Sequence, residues 1–300
     1  YGKSLLNSHA CAGGTVVIEN RFQYPATALD TLEAERCTGF SGVPSTFTIL
    51  LDRSNLAERP LTALRYVTQA GGPMSPATTR RLIAALPRQQ IVVMYGATEA
   101  SARLSWLPPD ELAGAIGSIG RAIPNVDLTV RRPDGSPCDA GEVGELVARG
   151  SNLMIGYWGD GDETARVLGP LGYHTGDLAR RDDRGLFWIV GRKKDMIKVG
   201  GHRVASREIE DAILEHPDVH ETAVIGVPDE LLGEQVKAYV VLRAPGTLDA
   251  ASLGSFLRPR LAPYKIPALV EFRAELPKNE AGKVMKQILR AEAVVETSGS

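Results

Sequence analysis

The sequence predicts an α/β protein in which an α/β layer is followed by a β-rich subdomain and a small α+β domain. Apolar strand-like runs alternate with helical patterns in the first part, which is typical of a parallel sheet. Short strands separated by Gly, Pro and Asp turns fill residues 117–190, and a third mixture of helices and strands follows Gly191. A length of 300 residues favours about two domains, and we place them at residues 1–190 and 191–300.

The first part contains two cycles of strand and helix. Residues 14–19 are apolar and β-branched and predict a buried strand, and residues 26–35, after Pro25, predict a helix. Residues 65–68 predict a second strand, which is followed by a glycine turn. Ser75 and Pro76 then have the residue types of an N-cap and a first helical position. Residues 91–94 form a short apolar strand that leads into Tyr95.

The later elements follow from turn residues and hydrophobic periodicity. Residues 127–130, 145–148 and 186–190 predict strands, with a hairpin turn at 182–185, so residues 117–190 form a β-rich subdomain or a small barrel. In the last part the predicted helices are 206–215, 250–257 and 284–293, and the predicted strands are 222–227, 236–242 and 270–274.

Composition excludes several classes of protein. The net charge is −2, from 34 basic and 36 acidic residues. Nucleic-acid and anionic-membrane binders show a basic excess, so neither is expected as the main partner. No apolar run approaches the ~20 residues of a membrane span. The chain begins at Tyr1 without the layout of a signal peptide, so we expect its natural start to be missing. Three scattered cysteines favour reduced thiols in a cytoplasmic protein.

The distribution of lysine is uneven. The chain has 25 arginines and nine lysines, and no lysine lies between Lys3 and Lys193. Two short clusters then contain six of the nine: Lys193, Lys194, Lys198, Lys278, Lys283 and Lys286. Lysine is a compact, movable charge that suits phosphate oxygens. Two solvated basic loops explain these clusters equally well on composition alone.

Four segments have the residue types of a functional site. Residues 95–99 (YGATE) follow a predicted parallel strand, at the edge where open α/β sheets bind ligands. Residues 173–178 (YHTGDL) place a carboxylate beside a glycine, and an aspartate there can accept two hydrogen bonds from a ribose diol. Residues 191–195 (GRKKD) form a charged joint, and residues 277–283 (PKNEAGK) form a loop that ends in a lysine. Taken singly, each has an ordinary explanation as a turn, linker or surface loop.

Two further patterns are set aside. Gly2-Lys3-Ser4 has the ending of a nucleotide P-loop, but the first glycine and its spacer are not in the chain. His216 and His220 have the spacing of metal ligands on one helix face, but the intervening Pro217 ends the helix.

The four segments, together with Gly71-Gly72-Pro73 and residues 117–121 (GSIGR), resemble the adenylate-forming superfamily in order and spacing. That superfamily includes acyl-CoA synthetases and the adenylation domains of nonribosomal peptide synthetases, and the resemblance spans residues 1 to about 290. It implies that residues 1–190 are the C-terminal part of a large adenylation domain and that residues 191–300 are a small mobile domain. It implies activation of a carboxylic acid as acyl-AMP and transfer to coenzyme A, with ATP and Mg²⁺.

The resemblance implies a role for each matching residue on the nucleotide side. Tyr95 would stack on the adenine, and Gly71 and Gly72 would line the adenine and acyl sites. Thr98 would hydrogen-bond the α-phosphate or the acyl carboxylate, and Glu99 would help to hold Mg²⁺.

The resemblance implies further roles for residues later in the chain. Asp177 would bind both ribose hydroxyls, with Arg192 beside it. Lys283 would stabilise charge on the α-phosphate and the attacking carboxylate, so it is the implied catalytic lysine together with Thr98 and Glu99.

The resemblance also implies a second half-reaction. The small domain would turn about Lys194, Lys283 would leave, and residues 198–203 would build the thiol tunnel. Lys198, Gly200, Gly201 and Arg203 are the implied coenzyme A residues, because the glycines leave room for the pantetheine arm and Arg203 could meet a phosphate.

Gly96 belongs to the implied nucleotide and acyl sites. A tryptophan closes the acyl pocket at this position in acetyl-specific relatives, so a glycine favours a medium-chain, long-chain or aryl acid. Pocket size discriminates between such acids by ~1–3 kcal/mol per methylene.

The sequence departs from the family pattern in one respect. The Ser/Thr/Gly-rich phosphate loop should lie before Tyr1, so we expect the chain alone to be inactive. A carrier-protein acceptor is one alternative to coenzyme A, and a non-catalytic nucleotide-binding remnant is another. The sequence does not name the acid, and it leaves a homodimer open beside a monomer.

Overall fold

The computed structural model describes residues 1–279 and 282–298. The helices are α1 (Gly2–Cys11), α2 (Pro25–Ala34), α3 (Pro44–Arg53), α4 (Pro76–Ala85), α5 (Gly161–Val167), α6 (Ser206–Ile213), α7 (Ala250–Leu257) and α8 (Lys286–Ser298). The strands are β1 (Gly39–Gly42), β2 (Tyr66–Gln69), β3 (Gln90–Tyr95), β4 (Ser105–Leu107), β5 (Arg121–Ala122), β6 (Val126–Arg131), β7 (Gly144–Gly150), β8 (Leu168–Gly169), β9 (Gly172–Arg181), β10 (Phe187–Arg192), β11 (Met196–Val199), β12 (His202–Ala205), β13 (Val219–Asp229), β14 (Gly233–Leu242) and β15 (Leu269–Arg273).

The chain forms two compact units. The first comprises Tyr1–Thr175 and Ala179–Ile189, and the second comprises Gly176–Leu178 and the chain from Val190 onward. No helix in the described ranges is long and apolar enough to cross a membrane.

The first unit begins with a five-stranded sheet in the order β1-β2-β3-β4-β5. The first three strands are parallel, as the alternation of strands and helices predicts, and β4 and β5 are antiparallel additions. Apolar side chains of α2, α3 and α4 form one core with the sheet, and Leu29, Phe47 and Leu82 are fully buried there. The predicted cap of α4 is present, since the Ser75 hydroxyl accepts a hydrogen bond from the Thr78 amide at 3.1 Å.

The prediction of a strand at residues 14–19 is wrong. This segment has no regular secondary structure and pairs with no strand in the described part of the chain, and Val16, Val17 and Ile18 are exposed. A strand requires a partner for its backbone groups, and an apolar sequence alone does not supply one. Helices α1 and α3 and strand β1 were not predicted.

The second sheet of the first unit has the order β10-β9-β7-β6, with the short β8 paired to β9. The order has two ends, so the predicted β-rich subdomain is an open sheet rather than a barrel. Leu128, Leu146 and Phe187 lie in its core. Strand β9 carries residues 176–178, which cluster with the second unit.

The second unit is built on a sheet of order β12-β11-β14-β13, with β15 parallel to β14. Ile209 of α6 and Leu253 of α7 are fully buried in one core, while Leu289 of α8 lies in another beside Tyr239. The predicted α+β composition is therefore present, and the hairpin of β11 and β12 is an addition that the sequence did not indicate.

Candidate active site

The loop that follows β3 carries the YGATE residues. Tyr95 ends the strand, and Thr98 and Glu99 begin a single 3₁₀ turn, with Thr98 exposed and Glu99 half-buried. A hydrogen bond of 2.9 Å from the Leu104 amide to the Tyr95 carbonyl closes the loop. The loop therefore presents a hydroxyl and a carboxylate at the carboxyl end of a parallel strand.

Gly71 and Gly72 lie at the same edge of the sheet. Gln69, the last residue of β2, is in register with Val93 near the end of β3. The loops that follow these two parallel strands therefore begin at the same edge of the sheet. Gly71 has a φ of +85°, and a Cβ there would lie 3.1 Å from a side-chain carbon of Val43. The turn thus requires glycine for its backbone conformation as well as for space.

The structure gives a different explanation from the sequence analysis for the glycine at position 96. A Cβ on Gly96 would lie 2.3 Å from the carbonyl oxygen of Ala102 and 2.8 Å from the Cα of Arg103. The missing side chain therefore admits the returning backbone of the loop and leaves no room for a ligand in that direction. The size of the acid does not follow from Gly96 in this structure.

Glu99 is held by a residue that the sequence analysis missed. The Tyr157 hydroxyl donates a hydrogen bond of 2.7 Å to Glu99 Oε1, and the Met154 amide donates one of 2.7 Å to the Glu99 carbonyl. The hydrogen bond to the Glu99 carboxylate raises the pKa of Tyr157 to about 12, with burial as a smaller cause. The phenol thus remains a donor to Glu99 throughout the neutral range.

Asn152 fixes the rest of the loop. Its side-chain amide nitrogen donates to the carbonyl oxygens of Ala100 at 3.0 Å and Arg103 at 2.8 Å, and its main-chain carbonyl accepts from the Ser101 hydroxyl at 2.8 Å. Ser101 and Ala102 have φ values of +48° and +73°, which are unfavourable for residues other than glycine. Asn152 therefore stabilises a strained turn. No local pattern marks Asn152 or Tyr157, because their partners lie about fifty positions away.

In the second unit, Asp177 and Arg192 form an ion pair. Arg192 Nε lies 2.9 Å from Asp177 Oδ1, and the Asp177 side chain is only 9% exposed. A nearly buried carboxylate bound by a guanidinium keeps a defined orientation. Asp177 is therefore an oriented acceptor group, at the position to which the sequence analysis assigns the ribose hydroxyls.

Lys283 lies in the electrostatic field of this ion pair. Burial lowers the pKa of the Lys283 ammonium, the charges of Arg192 and Lys194 lower it further, and Asp177 and Asp195 oppose the shift. Lys283 as a whole residue is nevertheless exposed. Such a cluster of cations favours an anion such as a phosphate.

The loop that carries Lys283 is held by Asn279. The Asn279 side-chain oxygen accepts a hydrogen bond of 2.9 Å from the Lys283 backbone amide, and the Asn279 backbone amide donates to the Lys283 carbonyl at 3.0 Å. Glu280 and Ala281 of the predicted loop lie outside the described residues. The backbone of Lys283 is therefore held by Asn279.

The proposed coenzyme A residues lie on the β11–β12 hairpin. Gly200 and Gly201 form its two-residue turn with φ values of +54° and +83°, the conformation that hairpins of this length require. Lys198 and Arg203 are cross-strand partners on the exposed face. Lys194 is exposed within the 3₁₀ turn Lys193–Asp195 that precedes β11.

The described residues contain no group of three or more His, Cys, Asp and Glu side chains that could hold a metal ion. Glu99 has one carboxylate oxygen bound to Tyr157, and no hydrogen bond joins its other oxygen to a described residue. Mg²⁺ is commonly held by one or two carboxylates together with substrate phosphates and water. Glu99 fits that kind of site.

Comparison with known proteins gives matches in both parts of the chain. Residues 2–158 match the family model described as AMP-binding enzyme, and residues 208–283 match the one described as AMP-binding enzyme C-terminal domain.

Two curated relatives and one solved structure illustrate the similarity. A long-chain-fatty-acid–CoA ligase of Escherichia coli O157:H7 is 38% identical over 256 residues, which are 85% of this chain and 45% of the relative. An indoleacetate–CoA ligase of Aromatoleum aromaticum is 38% identical over 281 residues, which are 93% of this chain and 54% of the relative. An o-succinylbenzoate coenzyme A synthetase of Bacillus subtilis, solved with ATP and magnesium ion, superimposes with a TM-score of 0.84 at 28% identity and covers 98% of this chain and 58% of that one. The chain spans about half the length of the curated relatives it matches.

Proposed function

This chain belongs to the AMP-binding enzyme family, and on that premise we propose that it carries acid-activation and thiol-transfer residues of an AMP-forming carboxylic acid–CoA ligase. The Asp177–Arg192 ion pair with Lys283 in its field is the observation that supports this proposal most strongly. An acceptor suited to a ribose diol and a cation suited to a phosphate belong to the same unit, and adenylation needs both.

The proposed reaction has two steps. A carboxylate oxygen of the acid attacks the α-phosphorus of ATP, pyrophosphate leaves, and acyl-AMP forms. The thiolate sulfur of coenzyme A then attacks the acyl carbon, the thioester forms, and AMP leaves with the electron pair of the broken bond. Negative charge builds up at the α-phosphate in the first step, so a nearby cation lowers its barrier.

Each proposed residue acts on one of these steps. Lys283 stabilises charge at the α-phosphate, and Asp177 accepts hydrogen bonds from the ribose hydroxyls while Arg192 holds its orientation. Tyr95 stacks on the adenine and Thr98 donates to the phosphate or the acyl carboxylate. Gly71, Gly72 and Gly96 complete the nucleotide side.

Mg²⁺ is part of the proposal because Glu99 fits it and because the Bacillus subtilis relative was solved with ATP and magnesium ion. Glu99 would hold the ion, which supplies charge neutralisation for the phosphates. Tyr157 orients the Glu99 carboxylate and keeps one of its oxygens occupied.

The β11–β12 hairpin is proposed to receive the thiol substrate. Lys198 and Arg203 place two cations opposite each other on an exposed face, which suits the phosphates of coenzyme A. Gly200 and Gly201 keep the turn free of side chains, and Lys194 is the proposed hinge. The acid is proposed to be medium-chain, long-chain or aryl, in line with the fatty-acid and indoleacetate ligases among the relatives. The cytoplasm, which supplies ATP and coenzyme A, is the proposed location.

The test is acid-dependent exchange of label between pyrophosphate and ATP, measured on the full-length gene product with carboxylates from acetate to long-chain and aryl acids. We expect exchange with one class of acid and its loss, by at least 100-fold, in Lys283→Ala. Lys278→Ala is the matched control, because Lys278 lies in the same loop but pairs with Glu221 at 2.9 Å.

A second assay separates the two steps. Transfer from synthetic acyl-AMP to coenzyme A should continue in Lys283→Ala, since Lys283 is assigned to adenylation alone. Undiminished exchange in that variant would refute the catalytic assignment and favour a nucleotide-binding module. Transfer to a carrier protein rather than to coenzyme A would make the carrier-loading alternative correct.

A further inference from the structure

The first unit contains a cavity of about 390 Å³ beside the YGATE loop. It lies between α1 and the sheet, and its lining includes Leu5 and His9 of α1, Met94 of β3 and Trp106 of β4. The volume falls within the usual range of small-molecule sites and exceeds the ~150 Å³ that hold a single benzene ring.

The cavity adjoins the proposed catalytic loop through the backbone. Met94, which lines it, immediately precedes Tyr95. Arg103, which also lines it, has its Cα 2.8 Å from the point where a Cβ of Gly96 would lie. The cavity therefore lies beside the backbone of the loop that carries the residues assigned to the phosphate and the acyl carboxylate. Within the proposed reaction, the acid is the substrate that belongs there.

Arg103 is the one permanently charged residue among those that line the cavity. No carboxylate lines it, and no hydrogen bond or ion pair joins the Arg103 guanidinium to another described residue. Its backbone carbonyl is fixed by Asn152, so the base of the side chain is held in place. A guanidinium of a half-buried residue that pairs with no described side chain is the natural counterpart of an anionic ligand.

Several other polar groups of the cavity are already engaged, whereas the Tyr66 hydroxyl has no hydrogen bond to a described residue. The Thr68 hydroxyl bonds to the hydroxyls of Ser41 at 2.7 Å and Tyr1 at 2.6 Å, and His9 Nδ1 bonds to the Leu5 carbonyl at 2.8 Å. The remaining walls include the apolar side chains of Met94 and Trp106. The cavity thus combines apolar side chains and the Tyr66 phenol with one cationic group.

We propose that this cavity binds the acyl part of the substrate and that Arg103 pairs with a second carboxylate on it. The substrate is then a dicarboxylic acid with an apolar or aryl middle, one carboxylate being activated while the other is held by Arg103. This rests on the proposed function and narrows the acid within it.

A specificity argument supports a second carboxylate over a plain acid. The guanidinium fork forms two parallel hydrogen bonds with a carboxylate. A monoacid would cover the guanidinium without forming an ion pair with it. A site built to pair a polar group of its substrate discriminates strongly against an analogue that lacks this group. If Arg103 instead held the reacting carboxylate, its loss would weaken mono- and dicarboxylic acids to the same degree.

The experiment compares matched acids on the full-length protein: hexanoate with adipate, and 3-phenylpropionate with 3-(4-carboxyphenyl)propionate. We expect kcat/KM for acid-dependent exchange to favour each diacid by about ten- to a hundred-fold. Arg103→Gln and Arg103→Leu should abolish or reverse that preference, whereas Arg88→Gln, at an exposed position of the same unit, should preserve it. Preference for the monoacids, or an equal loss for both members of each pair, would overturn the inference.

Calorimetric titration with adipate and hexanoate gives a readout without catalysis. Adipate should bind at least ten-fold more tightly than hexanoate, and Arg103→Gln should remove the difference. Exchange with acids but without a diacid preference leaves the proposed function intact and refutes the role of Arg103. Arg103-dependent binding of adipate without exchange by any acid supports the cavity assignment and refutes the ligase proposal.

Discussion

The contact between Tyr157 and Glu99 gives the sharpest prediction of a catalytic defect. Tyr157→Phe removes one oxygen atom and leaves the ring in place. The hydrogen bond that it deletes is 2.7 Å long and has a carboxylate as acceptor. Bonds to charged groups contribute ~1.5–3 kcal/mol, and because both residues are half-buried we take the lower end. About 1.5 kcal/mol corresponds to a factor of about ten.

The expected defect lies in the use of Mg·ATP. Without its donor, Glu99 can turn away from the position in which its second oxygen is available to a cation. The Mg²⁺ concentration for half-maximal exchange should therefore rise about ten-fold, while the rate at saturating Mg²⁺ falls by less. The assay is exchange across a Mg²⁺ titration at fixed ATP, together with the thermal stabilisation that Mg·ATP confers.

Two variants complete the design. Tyr24→Phe removes a hydroxyl from an exposed tyrosine of the same unit and should behave as wild type. Asn152→Asp keeps the shape of the side chain but replaces the amide donor with a carboxylate that faces two carbonyl oxygens. It should lower both the midpoint of unfolding and the rate. An unchanged Mg²⁺ dependence in a folded Tyr157→Phe protein would refute the positioning argument.

Three further predictions concern stability, packing and thiol transfer. Burial raises the pKa of Asp211 to about 6, above its ordinary value. The folded state therefore binds a proton at Asp211 more tightly than the unfolded state does, and the free energy of unfolding falls as pH rises from 4 through 6. In chemical denaturation Asp211→Asn should lose that dependence and gain up to about 2 kcal/mol at pH 7.5. Gly96→Ala places a Cβ against the Ala102 carbonyl and should cost more than 2 kcal/mol, whereas Gly114→Ala, with nothing within 4 Å, should fold normally in the same measurement. Arg203→Ala should raise the KM for coenzyme A at least five-fold and leave pyrophosphate exchange unchanged.

Elements with strong local patterns were predicted well. Helix α7 and strand β14 follow from periodicity and from turn residues on either side, and α4 follows from Ser75 and Pro76. Residues 14–19 have an equally clear strand pattern and form none, because a strand depends on a partner that local sequence does not reveal. The β11–β12 hairpin was missed because its two glycines had been assigned to a ligand rather than to a turn.

The candidate site likewise contains residues that the sequence predicted and residues that only the structure shows. Asp177 and Arg192 lie fifteen positions apart and were predicted from motifs that the family shares, and the structure brings them together at 2.9 Å. Tyr157 and Glu99 lie 58 positions apart, and their contact exists only once the sheet is folded. Gly96 was assigned to a pocket from its residue type, but the space around it is set by the backbone of a loop that the sequence does not describe.

The lysines differ in whether the fold already pairs them with a carboxylate. Lys237, Lys265, Lys278 and Lys286 each form an ion pair with a glutamate at 2.6–2.9 Å, so their charges are already paired within the second unit. No ion pair within the described residues joins Lys194, Lys198 or Lys283 to a carboxylate. These are the lysines to which the motifs assign a hinge, a thiol substrate and a phosphate. Since a charge already paired in the fold contributes little to an incoming phosphate, the unpaired lysines are the ones available to bind it.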